Sequence, residues 1–308
     1  MDRITARFSG HQSFPVRNTW LTKGVIACEE NANVFKQDDA LVRFGVGKNM
    51  VDSIKYWTLA TRVLEINPGN ASTYDLRLSD IGRCIFIKNG GWDRYLEDAG
   101  TIWLLHYLLV TNPDWATTAY YAFNELTGLE FTRDSLEKVL MGIATQIPSA
   151  RASVNTIHRD VGVFIQMYAG SSRTSQSSVE DYLDCPLTDL GLIYEEPAKK
   201  TYAFSRGPKD NLPDEVIFYA IWEYARRKGQ QRSFTFDELA YQPFSPGRIF
   251  KLDELALAER LEHIEQLTSG AWQWTETAGY RQLVAIAEVD ALELLNRYYA
   301  QRLDGAAK

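Results

Sequence analysis

The chain has 308 residues, with 33 Lys+Arg against 40 Asp+Glu and a formal net charge of −7. Hydrophobic residues at 45% and aromatic residues at 12% exclude a disordered or low-complexity chain, which lacks the apolar surface needed to offset its ordering entropy. The negative balance excludes a uniformly basic nucleic-acid coat, so a polyanion has to meet a local patch.

The length corresponds to about two domains, or three small ones. Thr19 to Asn31 reads as a helix and Asp38 to Phe44 as a short second one. After the turn Gly45-Val46-Gly47, Lys48 to Trp57 starts a third helix, with Met50, Val51, Ile54 and Trp57 at helical spacing. Arg62 to Ile66, the turn Asn67-Pro68-Gly69-Asn70 and Thr73 to Leu76 read as a hairpin. Helix, helix, glycine turn, helix and hairpin is the order of a winged helix-turn-helix.

Asp93 to Glu130 reads as a helical insert, with helices from about Thr101 to Thr111 and from Trp115 to Thr127. Arg133 to Thr145 is a helix that Pro148-Ser149 breaks. The next helix carries the stripe Ile157, Val161, Phe164 and Tyr168, which leaves Asn155, His158 and Arg159 on a solvated face. Gly170 to Ser178 is a Ser-rich linker or loop, and Ser205 to Asn211 a second connection. Asp214 to Lys228, Phe236 to Ala240 and Asp253 to Leu267 are helices, followed by a strand from Ala271 to Trp274. The last of these helices carries Asp253, Glu254, Glu259, Glu262 and Glu265, a poor surface to lay against phosphates.

Leu78-Ser79-Asp80-Ile81-Gly82 is echoed by Leu187-Thr188-Asp189-Leu190-Gly191 and, more weakly, by Trp274-Thr275-Glu276-Thr277-Ala278-Gly279. A hydroxyl residue followed by an acid suits a helix N-cap and first turn, so the echo predicts three related strand-to-helix junctions. The expected fold is mainly α with small β-hairpins: tandem winged helix-turn-helix modules plus a helical insert. The expected domains are 1–92, 93–130, 131–208 and 209–308.

The chemistry-bearing candidates fall into two sets. Lys48 and Asn49 open the presumed recognition helix, and such helices use their first residues on base edges or phosphates. Arg17, Lys23, Arg43, Ser53, Lys55 and Arg62 surround it, while His158 and Arg159 form a second candidate contact. Residues 1–62 hold nine Lys/Arg and six Asp/Glu, a balance of +3 on a chain whose remainder is acidic. Trp57 and Tyr56 either stack on a base or pack in the core. The catalytic candidates are Asp93, Glu97, Asp98 and His106, with His11 in a polar loop before Pro15. Carboxylates can hold a divalent cation such as Mg²⁺ or Mn²⁺ for hydrolysis, or simply cap a helix. A lone histidine on an apolar face, as His106 is, is more often a hydrogen-bonded core residue. There is no phosphate-cradling GxxxxGK or GxGxxG loop, so no nucleotide cofactor is expected.

Cys28, Cys84 and Cys185 form no CxxC pair, which argues against a disulfide framework or a zinc ribbon and suits a reducing compartment. Met1 to Arg7 lacks the apolar core of a signal peptide. Trp103 to Val110, the longest strongly apolar stretch, is too short to span a bilayer. A cytoplasmic location without a membrane partner is expected.

Several motifs carry a family resemblance: Arg7-Phe8-Ser9-Gly10-His11-Gln12-Ser13-Phe14-Pro15-Val16-Arg17-Asn18-Thr19-Trp20, Phe44 to Val51, Tyr56-Trp57, Tyr95 to His106 and Thr277 to Gln282. In this order over nearly the whole chain, they resemble the SspB-like family of bacterial DNA phosphorothioation systems. Ala99 stands where that family has proline, which leaves the carboxylates and His106 in place. The resemblance implies a DNA-binding protein of a sulfur-modification and anti-phage defence system that nicks one strand for sulfur incorporation. It also implies partners: DNA, a sulfur-transfer protein resembling phosphoadenosine-phosphosulfate reductase, and a cysteine desulfurase. The alternatives are a non-catalytic adaptor that recruits the sulfur-transfer enzyme, or a transcriptional regulator.

Overall fold

The computed structural model describes residues 5–68, 74–147, 152–170, 185–277 and 279–306. It is mainly helical with small antiparallel sheets. The chain forms two compact units, residues 1–122 with 126–204 and residues 123–125 with 205–308.

The first unit opens with α1 (Asn18–Glu30), α2 (Ala40–Phe44) and α3 (Lys48–Ala60). Trp20, Leu21 and Val25 of α1 and Val51, Ile54 and Trp57 of α3 are buried where the two helices pack. An antiparallel pair follows, β1 (Leu64–Ile66) and β2 (Leu76–Leu78), in the register Leu64 opposite Leu78. The expected turn at Asn67 to Asn70 and the residues up to Thr73 lie partly outside the described residues. Next comes α4 (Asp80–Phe86), whose first turn is capped by the Ser79 hydroxyl accepting the Gly82 N–H. A side chain at Gly82 would put its Cβ 1.9 Å from the Val63 carbonyl oxygen, so only glycine lets α4 approach the strand so closely.

The helix α5 (Ala99–Val110) is buried from Gly100 to Val110 and has no polar face, the mark of a core helix. α6 (Thr117–Tyr120) runs into a π-turn over Tyr121–Glu125. α7 (Arg133–Gln146) and α8 (Val154–Ala169) pack on each other, and α8 buries its apolar stripe as the periodicity predicts. Both begin with hydroxyl caps, Thr132 and Ser153. The strands β3 (Glu130–Phe131), β4 (Ile193–Glu196) and β5 (Thr201–Phe204) make a sheet in the order β3-β5-β4. The helix-breaking Pro148-Ser149 and the Ser-rich run after Gly170 lie outside the described residues.

The second unit is built on α9 (Asp214–Arg227), which buries Val216 to Ile221 and Tyr224. It continues through β6 (Ser233–Thr235), α10 (Phe236–Tyr241), α11 (Pro246–Phe250), α12 (Glu254–Leu267), β7 (Trp272–Thr277), β8 (Tyr280–Ala285) and α13 (Ala291–Ala306). Its sheet runs β6-β8-β7, so in both three-stranded sheets the last strand lies between the other two. Residues 123–125 are held in this unit by charge-assisted capping. The Lys251 ammonium donates to the Phe123 carbonyl and the Arg248 Nε to the Asn124 carbonyl.

The threefold echo does not survive. Only Ser79 caps a helix. Pro186–Leu190 is a 3₁₀ helix with Thr188 inside it, donating its hydroxyl to the Met167 carbonyl, and Gly191 ends it at φ 57°. Thr275 lies within β7 opposite Gln282, because pairing with β8 satisfies the backbone that a helix start would have left open. No described helix is long and apolar enough to cross a membrane.

Candidate functional site

The motif around His11 folds into a loop with three non-glycine residues at positive φ: Ser9 at 62°, Gln12 at 50° and Ser13 at 65°. Such conformations cost energy and persist only where the surroundings impose them. Here α3 imposes them. The Ser53 hydroxyl donates to the His11 carbonyl (3.0 Å), and the Trp57 indole N–H donates to the Phe14 carbonyl (3.1 Å). Gly10 lies so close to the Tyr56 ring that a Cβ would come within 2.3 Å of it.

The loop delivers His11 into a buried pair with Asp160 of α8. His11 Nδ1 accepts the Ser13 N–H at 3.1 Å, which assigns the ring proton to Nε2. That Nε2–H donates to Asp160 Oδ1 at 3.0 Å, and the same oxygen accepts the Ser9 N–H at 2.8 Å. The imidazole stacks on Trp57, with ring centroids 5.8 Å apart and planes 16° apart. His11 and Asp160 are 3% and 4% exposed. Beside them is a cavity of about 20 Å³, room for one water molecule, and the buried Thr118 hydroxyl that lines it has no hydrogen-bond partner among the described residues.

The start of α3 is the exposed part of this region. Lys48 and Asn49 face solvent, and so do Lys23 and Arg43, although Arg43 is paired with Glu30 at 3.0 Å. Arg17 is half-buried against the Trp20 ring. Two expected surface contacts are engaged within the protein instead. Ser53 is fully buried and occupied with the His11 carbonyl, and Arg62 donates to the Thr111 carbonyl at the end of α5. Tyr56 and Trp57 are core residues, with the Tyr56 hydroxyl donating to the Trp115 carbonyl. Lys55 is half-buried with its ammonium 3.3 Å from the Tyr74 ring centroid, and burial lowers its pKa to about 8. His158 and Arg159 are exposed on α8. His158 is bound to Glu137 at 2.8 Å, and the Arg159 Nε donates to the Asn155 carbonyl.

Asp93, Glu97 and Asp98 share one turn, where the carboxylates of Asp93 and Asp98 act as caps. The two oxygens of Asp93 accept the N–H groups of Glu97 and Asp98, each at 2.9 Å, and Asp98 caps α5 through the Gly100 N–H at 2.7 Å. His106 is not part of that turn: it is fully buried in α5, with Nδ1 2.8 Å from the Tyr168 hydroxyl. Among the described residues no three His, Cys, Asp or Glu side chains converge to hold a metal ion. Magnesium keeps an octahedron with several waters, which a one-water cavity cannot take. The cavity beside His11 and Asp160 is therefore too small for a hydrated magnesium ion. Burial pushes the Cys28 and Cys185 thiols up to about 12, so neither is a thiolate near neutral pH.

Asp160, Thr118, Arg7 and Trp115 are the residues of this region that sequence reasoning did not single out. One signal was available for Asp160, a carboxylate beside the apolar stripe of α8.

A family model described as a protein of unknown function (DUF4007) matches residues 8–299. Among curated protein sequences none matches. A crystal structure of SspB is similar at a TM-score of 0.84 and 28% identity, covering 97% of this chain and 89% of that one. A magnesium ion-bound SspB crystal structure is similar at 0.84 and 29%, with the same coverage. The loop holding His11, the opening of α3 and the α5 entrance all fall within the matched residues, and the chain belongs to the DUF4007 family as an SspB-like member.

Proposed function

We propose that this chain is the DNA-binding protein of a DNA phosphorothioation system and receives duplex DNA on α3. The observation that carries the reading is the exposed pair Lys48 and Asn49 at the start of α3, in a helix–turn–helix–hairpin frame. Lysine there meets guanine or phosphate, and asparagine meets adenine. The strand orders β3-β5-β4 and β6-β8-β7, each with helices between its first strand and its closing hairpin, support reading the later parts of the chain as winged-helix modules too. In that reading α12 occupies the recognition position of the last module, and its exposed Glu254, Glu259 and Glu262 suit a basic protein partner better than DNA. The sulfur-transfer and cysteine desulfurase proteins of such a system are the proposed partners.

The geometry favours an adaptor that brings DNA to sulfur transfer, because Asp93 and Asp98 are committed to capping and His106 is buried. Strand nicking is the second reading. The magnesium ion-bound SspB favours it, since a divalent cation is a common means of phosphodiester hydrolysis.

Lys48→Glu tests the binding surface. It is expected to weaken affinity on every sequence and to lower the slope of log K against log salt by about one. Unchanged affinity and slope would remove α3 from the interface.

A further inference from the structure

Two cations of the first unit, one of them on α3, lie close over aromatic rings. The Arg7 guanidinium lies flat over the Trp115 indole, 3.6 Å from its centroid, and the Lys55 ammonium sits 3.3 Å from the centroid of Tyr74. Neither side chain has a hydrogen-bonding or ion-pair partner among the described residues. By contrast, Arg43, Arg62, His158 and Arg159 are each engaged by a carboxylate or a carbonyl.

We propose that Arg7 and Lys55 form a clamp for one phosphate oxyanion, filled in the working protein by a phosphodiester of the DNA strand that α3 receives. The clamp rests on the DNA-binding reading for its occupant, but not for its chemistry. Stacking fixes each cation without using its N–H groups, as a site formed before its ligand arrives requires.

The backbone supports this. The Arg7 N–H donates to the Thr117 hydroxyl at 2.8 Å, and the Tyr56 hydroxyl donates to the Trp115 carbonyl at 2.6 Å, so the platform under Arg7 is tied to the residue next to Lys55. Asp114, whose charge attracts Arg7 without a direct bond to it, gives Oδ1 to the N–H and hydroxyl of Thr5 at 2.6 and 3.0 Å. Lys48 and Lys55 are seven residues apart, two turns along one face, about 10 Å by helix rise. A backbone reaching Lys48 would therefore pass the clamp. Burial, with repulsion from Arg7 and against attraction from Asp52, lowers the Lys55 pKa. An oxyanion relieves that stress.

The test uses the full chain. Arg7→Gln and Lys55→Met, each checked for an intact melt, are expected to weaken binding several-fold on two unrelated duplexes and to lower the salt slope by about one apiece. Asp52→Asn is expected to tighten binding. Unchanged affinity and slope in both clamp variants, with Lys48→Glu still impaired, would overturn the clamp and leave the DNA reading standing. If the wild-type chain binds no DNA, inorganic phosphate decides. A saturable upward shift of the Lys55 titration that disappears in Arg7→Gln supports a free-phosphate site. No shift overturns the proposal.

Discussion

Replacing Asp160 by leucine would leave the Ser9 N–H and the His11 Nε2–H without an acceptor in a buried pair. Since an orphaned buried donor costs about 1–3 kcal/mol, Asp160→Leu is expected to lower the unfolding free energy by about 2–4 kcal/mol in urea titrations. Asp160→Asn, which keeps an acceptor, should lose less. Lys55 is the titrating residue of the region. Its folded pKa, about 8, lies below its ordinary 10.5, so folding disfavours its charge. The penalty is absent above pH 10.5, grows as pH falls and is complete below about 8. Lys55→Met is thus expected to raise the melting temperature more at pH 7 than at pH 10.5, and equal shifts would clear the ammonium of responsibility. At this scale the sequence was legible where a residue's own segment decides its place, as with Lys48, exposed at the start of α3. It was opaque where a distant segment decides. Ser53 and Arg62 look like surface polar residues until loop 8–14 and Thr111 cover them, and Asp160 is 149 positions from its partner.

Among the elements, α5 separates the two meanings of the acidic turn. If Asp98 is a cap, Asp98→Ala is expected to cost about 1 kcal/mol of stability and to leave DNA binding and any plasmid nicking unchanged. If it acts on the phosphodiester, conversion of supercoiled plasmid to open circle with Mg²⁺ or Mn²⁺ would vanish in a variant of nearly normal stability. Helices with a long apolar stripe, α3 and α8, could be read from spacing alone, because many positions repeat the signal. Strands of two to four residues, such as β3, β4 and β5, offer too few positions for alternation to show. The echo at Thr275 failed for a related reason. A hydroxyl beside an acid suits a cap and an exposed strand equally, and only the pairing partner β8 decides between them.

Across the whole molecule, the charge balance read from the sequence is selective rather than diffuse. Of the nine basic residues before position 63, Arg43 and Arg62 neutralise or cap neighbours, whereas Lys48, Lys55 and Arg7 lie on or beside α3. The acidic excess falls on the remainder, including α12.

The capped residues 123–125 bear on how the chain comes to be folded. The polypeptide crosses between its two units three times, after 122, 125 and 204, so neither unit is one continuous stretch. During synthesis the second unit receives its first three residues some eighty positions before the rest, and they wait through the completion of the first. A fragment starting at 205 would begin without the carbonyls that Lys251 and Arg248 cap, leaving a buried ammonium among like charges. Residues 205–308 alone are therefore expected to unfold at lower urea than they do in the full chain, and an equal midpoint would show that the early residues are dispensable. Boundaries drawn as a simple cut would divide a unit that the chain visits twice.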